Sequence, residues 1–172
     1  MLLAFLGDIH LRNYNLNSRL TDYNTALFNK LEFVYKTCIE NRISYLYMLG
    51  DLNTILDTDI KDSVKNQFIT LAKKYKDLHK LTIAGNHDLP SNDISNLYKT
   101  SLYTMALANA YDIITVPQDV GDFVIQPLDV DIKETRKILQ SLKDPNKPML
   151  LLGHHLFNWE LNPESGLTDT DF

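Results

Sequence analysis

Four short, mostly apolar runs in this chain end in the same way. Residues 2–6 run into Gly7-Asp8-Ile9-His10 and residues 43–49 into Gly50-Asp51-Leu52-Asn53. Residues 81–84 run into Gly85-Asn86-His87-Asp88, and residues 149–152 into Gly153-His154-His155. Short apolar runs bounded by turn residues read as buried strands. The stretches between them carry apolar residues at helical spacing. Leu27, Leu31, Val34 and Cys38 mark a helix from a cap at Thr21 or Asp22 to about Glu40, and Val64, Phe68, Leu71 and Tyr75 mark one over residues 59–77. A helical stretch follows Asp93, and another covers residues 131–143 and stops before Pro145. Residues 113–116 and 123–125 read as strands separated by a turn at 118–122, and the chain beyond Trp159 reads as loop. Strands alternating with helices require an α/β sheet whose early strands are largely parallel.

Length and charge narrow what this sheet can do. The chain has 172 residues, one domain's worth, so residues 1–172 are read as a single domain. Its formal charge is 17 − 22 = −5, which argues against a broad basic face for nucleic acid while leaving room for a local site. The one cysteine, Cys38, excludes an internal disulfide and a cysteine-cluster zinc site. No apolar run approaches the ~20 residues of a membrane span, and the apolar start lacks a basic n-region. The expectation is a cytoplasmic chain with no membrane partner.

In open α/β sheets, functional groups gather where loops leave the carboxyl ends of the strands. The four clusters hold Asp8, His10, Asp51, Asn53, Asn86, His87, Asp88, His154 and His155, and four of the five histidines. Asp, Asn and His supply the oxygen and imidazole ligands that manganese, iron and zinc accept. One carboxylate such as Asp51 can bridge two cations, and two cations about 3.5–4 Å apart can clamp a phosphate. His154 is favoured over His155 because it follows Gly153 directly, and both stay open as ligands. Lys73, Lys74, Lys76 and Lys80, with His79, form a basic run that reads as a solvated helix face. Phe157 and Trp159 read as loop anchors.

The motifs Asp8-x-His10, Gly50-Asp51, Gly85-Asn86-His87-Asp88 and Gly153-His154 together resemble the calcineurin-like metallophosphoesterase superfamily, over residues 8–154. Within it, Leu6-Gly7-Asp8-Ile9-His10-Leu11 and Gly85-Asn86-His87-Asp88-Leu89 look most like the SbcD-type nuclease subunit and its phage counterparts. The resemblance implies an α-β-β-α sandwich and a phosphodiesterase using two divalent metal ions, manganese foremost, on DNA in recombination or repair. It implies that Asp8 and His10 bind the first metal, that Asp51 bridges both, and that Asn86 and His154 bind the second. His87 would stabilise the developing charge or protonate the leaving oxygen, and Asp88 would support the loop. It also implies an SbcC-type ATPase partner, with a homodimer or a completing polypeptide as alternatives, and the host cytoplasm if the chain is of phage origin.

Two departures qualify this. The superfamily ends its site with Gly-His-x-His, and no histidine follows His155. The sandwich is therefore expected to stop before its last strands, with open sheet edges and a sticky chain. Relatives also place an aspartate where this chain has Thr54, whose hydroxyl cannot stabilise an imidazolium as a carboxylate does. Asp57 is a substitute three residues on. Two other classes stay open: a protein phosphatase or cyclic-nucleotide phosphodiesterase, and an inactive remnant acting as an interaction module. Residues 52–59 contain no Arg and Asp88 follows His87, which disfavours a phosphoprotein phosphatase.

Overall fold

A computed structural model describes residues 2–13, 22–54, 60–129, 131–142 and 147–154. The chain is a mixed α/β fold with two sheets. The first sheet takes β1 (Leu3–Leu6), β2 (Tyr45–Met48), β3 (His79–Thr82) and β4 (Asp112–Ile113), in that spatial order and all parallel. The second takes β5 (Gln118–Asp119), β6 (Val124–Pro127) and β7 (Met149–Leu152), with β5 antiparallel and β7 parallel to β6. Helices α1 (Tyr23–Glu40), α2 (Asp62–Lys74) and α3 (Ser101–Leu107) join the strands of the first sheet, and α4 (Ile132–Ser141) joins β6 to β7.

The period-2 alternation of a strand assigns the two faces of the first sheet. Leu46 packs with Tyr35 and Cys38 of α1, and Met48 packs with Phe28, Leu31 and Phe68 of α1 and α2. Tyr47 and Leu81 point the other way and pack with Ile125 and Leu152 of the second sheet. One face of the first sheet is thus covered by helices and the other by a second sheet. Phe5, on the edge strand β1, stacks on Tyr47 yet keeps 46% of its surface exposed. Among the described residues no helix is long and apolar enough to cross a membrane.

Local chemistry sets where the helices begin. Asp22 caps α1 by accepting from Thr25 N at 2.7 Å, and Asp131 caps α4 by accepting from Lys133 N and Glu134 N. The stretch after Asp93 is not one helix. Thr100 is extended and its hydroxyl caps Tyr103 N, so a 3₁₀ segment (Ile94–Lys99) ends and α3 starts anew.

The basic run needs a correction at one position. Lys73, Lys74 and Lys76 are exposed, but Lys80 lies in β3 and is only 6% exposed. Its ammonium donates to the carbonyls of Tyr75 and Leu78, each at 2.7 Å, and lies 5.5 Å from the Tyr35 ring centroid. Tyr75 is the C-cap of α2 and its carbonyl also accepts from Leu78 N at 3.2 Å, so Lys80 joins the backbone bonds that satisfy the helix end. Burial pushes the Lys80 amine down to about 8.

The register of the first sheet prepares the site. Leu6 pairs with Met48 and Met48 with Thr82, so β1, β2 and β3 finish level. Backbone pairing continues past the strands, with His10 N to Asp51 O at 2.9 Å, Leu11 N to Leu52 O at 2.7 Å and a bridge between Leu11 and Asn53. The segments that follow β1 and β2 therefore run side by side above the sheet edge.

Candidate metal centre

Three backbone positions in these segments are in the left-handed region without being glycine: Asp8 (φ 53°), His10 (φ 53°) and Asp51 (φ 50°). Such conformations cost on the order of 1–3 kcal/mol each and persist where surrounding bonds over-determine them. Here those bonds include the His10–Asp51 backbone pair and the Tyr23 hydroxyl, which donates to His10 O at 3.1 Å and reaches Ile9 O at 3.4 Å. Asn24 adds a bond from its amide to Arg12 O at 3.1 Å. The first turn of α1 thus holds the segment after β1 in place. The sequence carries no signal for this role of Tyr23.

Asp51 is the hub. Its carboxylate is buried, with Oδ2 3.0 Å from His154 Nε2, 3.8 Å from His87 Nδ1 and 3.9 Å from His10 Nε2. Its Oδ1 accepts from His87 N at 3.0 Å. Burial pushes the carboxyl up, but the His154 imidazole and the His87 backbone N–H outweigh it and hold Asp51 below its ordinary range. The same pair raises His154 to about 9, and the other His154 ring nitrogen lies 2.9 Å from Leu49 O.

Two groups of side chains converge closely enough to hold a metal ion each. One is His10, Asp51 and His87; the other is Asp8, Asp51 and His154. Within each group the ligand atoms lie within 4.8 Å of one another. This grouping differs from the one the resemblance implies, since it sets His87 beside His10 and Asp8 beside His154. Asp8 Oδ1 and His10 Nε2 are themselves 3.7 Å apart, so both groups form one cluster around Asp51.

The donor set fits divalent cations. Imidazole and carboxylate together suit manganese, iron and zinc. His10 Nδ1 and His87 Nδ1 are buried and have no hydrogen-bond partner among the described residues, and buried polar atoms are rarely left so. The lone pair of a neutral imidazole on a Lewis acid resolves that cost for His87 Nδ1, the one of the two that faces Asp51.

Asp88 is 1% exposed and works as a clasp. Its Oδ2 accepts from Leu52 N at 3.1 Å and Gly85 N at 3.0 Å, and its Oδ1 accepts from Asn53 N at 2.8 Å and Asn53 Nδ2 at 3.1 Å. It therefore ties the segment after β2 to the segment after β3. Burial pushes its carboxyl up against the pull of these backbone donors. Asn53, which in sequence looks like an ordinary turn residue, is half of that clasp.

The remaining sequence candidates are less engaged. Asn86 is half-buried between Gly85 and His87. Thr54 is buried, its amide bonds Leu11 O at 3.2 Å, and its hydroxyl has no hydrogen-bond partner among the described residues. His155, Asp57, Phe157 and Trp159 lie outside the described residues.

A family model described as calcineurin-like phosphoesterase matches residues 1–168. Among solved structures the chain is similar to the crystal structure of the nuclease MPE of Pseudomonas putida, with 15% sequence identity and a TM-score of 0.50. That match covers 87% of this chain and 59% of the other, so this chain spans less than two thirds of that protein's length. The likeness is one of fold. Among curated proteins none matches.

Proposed function

The chain belongs to the calcineurin-like phosphoesterase family, and from that premise we propose that it is a metal-dependent phosphodiesterase acting on DNA. The observation that carries this reading is the sharing of Asp51 by two ligand groups. The buried Asp51 carboxylate is the member common to both groups, the placement from which one carboxylate can serve two cations. Nucleic acid as substrate is supported by the nuclease whose fold this chain shares.

On this reading, Asp8, His10, Asp51, Asn86 and His154 hold two divalent ions, manganese foremost. Bound there, the ions polarise the phosphoryl oxygens and lower the pKa of water. The chain's own residues do the rest. Asp51 fixes the two positions relative to each other, and Asp88 and Gly85 fix the segment that carries His87 relative to Asp51. His87 meets the phosphodiester from beside His10, where it serves as a ligand or as the group that stabilises the developing charge and protonates the leaving oxygen. His87→Gln separates these roles. A ligand role lowers the number of ions bound, whereas an acid role keeps that number and lowers turnover alone.

A DNA exonuclease or endonuclease subunit working with an SbcC-type ATPase in recombination or repair is the finer form of the proposal, and it rests on the motif resemblance. The test is cleavage of linear and nicked duplex DNA with manganese, with EDTA, and with Asp51→Ala, against a phosphopeptide and a cyclic nucleotide as competing substrates. Manganese-dependent DNA cleavage lost in Asp51→Ala supports the reading. Faster turnover of phosphopeptide or cyclic nucleotide overturns the DNA assignment and leaves phosphoester hydrolysis standing.

A further inference from the structure

A pocket of about 260 Å³ lies between the segment after β1 and the flank of α1, and Asp8 is part of its wall. Leu27, Leu31 and Val34, one face of α1 at helical spacing, supply an apolar side, and Leu6 supplies the opposite one. Tyr23 and the exposed Lys30 add polar atoms. The two residues that tie this pocket to the metal cluster are Asp8, a member of the Asp8–Asp51–His154 group, and Tyr23, which bonds the backbone of His10.

We propose that this pocket receives the nucleobase of the nucleotide next to the scissile phosphate, an inference that rests on the phosphodiesterase reading above. The chemistry of the walls selects the ligand. A second phosphate would find Lys30 alone, since the Leu27, Leu31 and Val34 side of α1 offers it no donors and Asp8 stands on the same wall as an anion. A neutral flat ring with a polar edge matches both the apolar side and the Lys30 ammonium. Lys30 can donate to the carbonyl and ring-nitrogen acceptors of a base edge. The volume lies just under the ~300–1,000 Å³ of pockets for drug-sized ligands. It therefore suits one base and not a base pair, so the nucleotide bound there is unpaired: a single strand, a frayed end or a flipped base. Unstacking a terminal base costs least, which directs the site to ends and single strands.

The test is calorimetric binding to the manganese-loaded full chain, with thymidine 5′-monophosphate and deoxyribose 5-phosphate as probes. Both carry the phosphate, and only the first carries the base. The expected result is about tenfold tighter binding of the nucleotide. Ala26→Phe, which adds a ring to the pocket wall, should bring the nucleotide down to the affinity of the sugar phosphate. Lys30→Glu, at an exposed position that leaves folding intact, should weaken the nucleotide several-fold. Acetylation of Lys30, read by mass spectrometry, should slow when the nucleotide is bound and not when the sugar phosphate is. Equal affinity for the two probes overturns the pocket assignment and leaves the metal site standing. Failure of both probes to bind overturns the phosphodiesterase reading, and this proposal with it.

Discussion

The carboxylate of Asp51 occupies the space that a side chain on Gly85 would need. A Cβ built on Gly85 runs into Oδ1 and the backbone nitrogen of Asp51. A Cβ on Gly50 would come within 2.9 Å of Gly85 Cα and 3.1 Å of His154 Cβ. Three segments, after β2, β3 and β7, therefore meet at contacts that only glycine permits. Gly7 differs, since a Cβ there meets nothing within 4 Å.

Gly85→Ala is accordingly expected to displace Asp51 while leaving the sheet and helices formed. Metal affinity should fall by about 10–100-fold, as it does when the support of a ligand is lost. Manganese titration by calorimetry, beside a far-UV circular dichroism spectrum, checks this. Unchanged affinity would mean that Asp51 is not held by this contact.

Asp88→Asn should destabilise the fold without touching any candidate ligand. The amide nitrogen of Asn would face either the donors of Leu52 and Gly85 or those of Asn53, leaving buried N–H groups without an acceptor. The expected loss is about 2–4 kcal/mol in urea unfolding. A loss under about 0.5 kcal/mol would show that the clasp is replaceable.

Lys80 predicts a pH dependence with a definite sign. Its amine titrates near 8 in the folded chain and near the ordinary 10.5 when unfolded. Between these values the unfolded chain holds the extra proton, so stability rises with pH from about 8 to about 10.5 and is flat on either side. The gain of wild type relative to Lys80→Met across this window should be on the order of 1 kcal/mol. Groups common to both proteins cancel in the difference. A constant difference across the window would refute the burial of a titrating amine.

Metal should stabilise the chain, because it binds the folded state. With manganese at about 100 times its dissociation constant the gain is ~2.7 kcal/mol, or about 5–10 °C in Tm for a chain of this size. EDTA should reverse the shift and Asp51→Ala should abolish it. An equal shift in Asp51→Ala would place the binding elsewhere.

Much of the framework was legible because strand and helix patterns are local. The runs at residues 2–6, 43–49 and 149–152 contain β1, β2 and β7, and the Asp22 and Asp131 caps mark the starts of α1 and α4. β3 was harder. Its ladder covers His79–Thr82, whereas the apolar run covers residues 81–84. Ile83 and Ala84 are buried beyond the paired strand, and apolarity reports burial rather than pairing. Lys80 looks like a surface cation until the carbonyls at the end of α2 are placed beside it. β5, a two-residue polar strand, pairs with β6 where the sequence reads as a turn.

For the candidate centre, the chain's own letters carry the ligand types and their positions just after strands, because each strand must end in a residue that turns the backbone. Parallel strands in level register then bring those ends to one edge. What the letters leave open is which imidazole stands beside which carboxylate. The distances around Asp51 depend on three segments packing through Gly50 and Gly85, on Asp88 bonding across two of them, and on Tyr23 holding a third. Those contacts join residues 13 to 105 positions apart. A spacing pattern along the chain has no access to them, because they arise only when the sheets close over one another and every buried donor must find its acceptor.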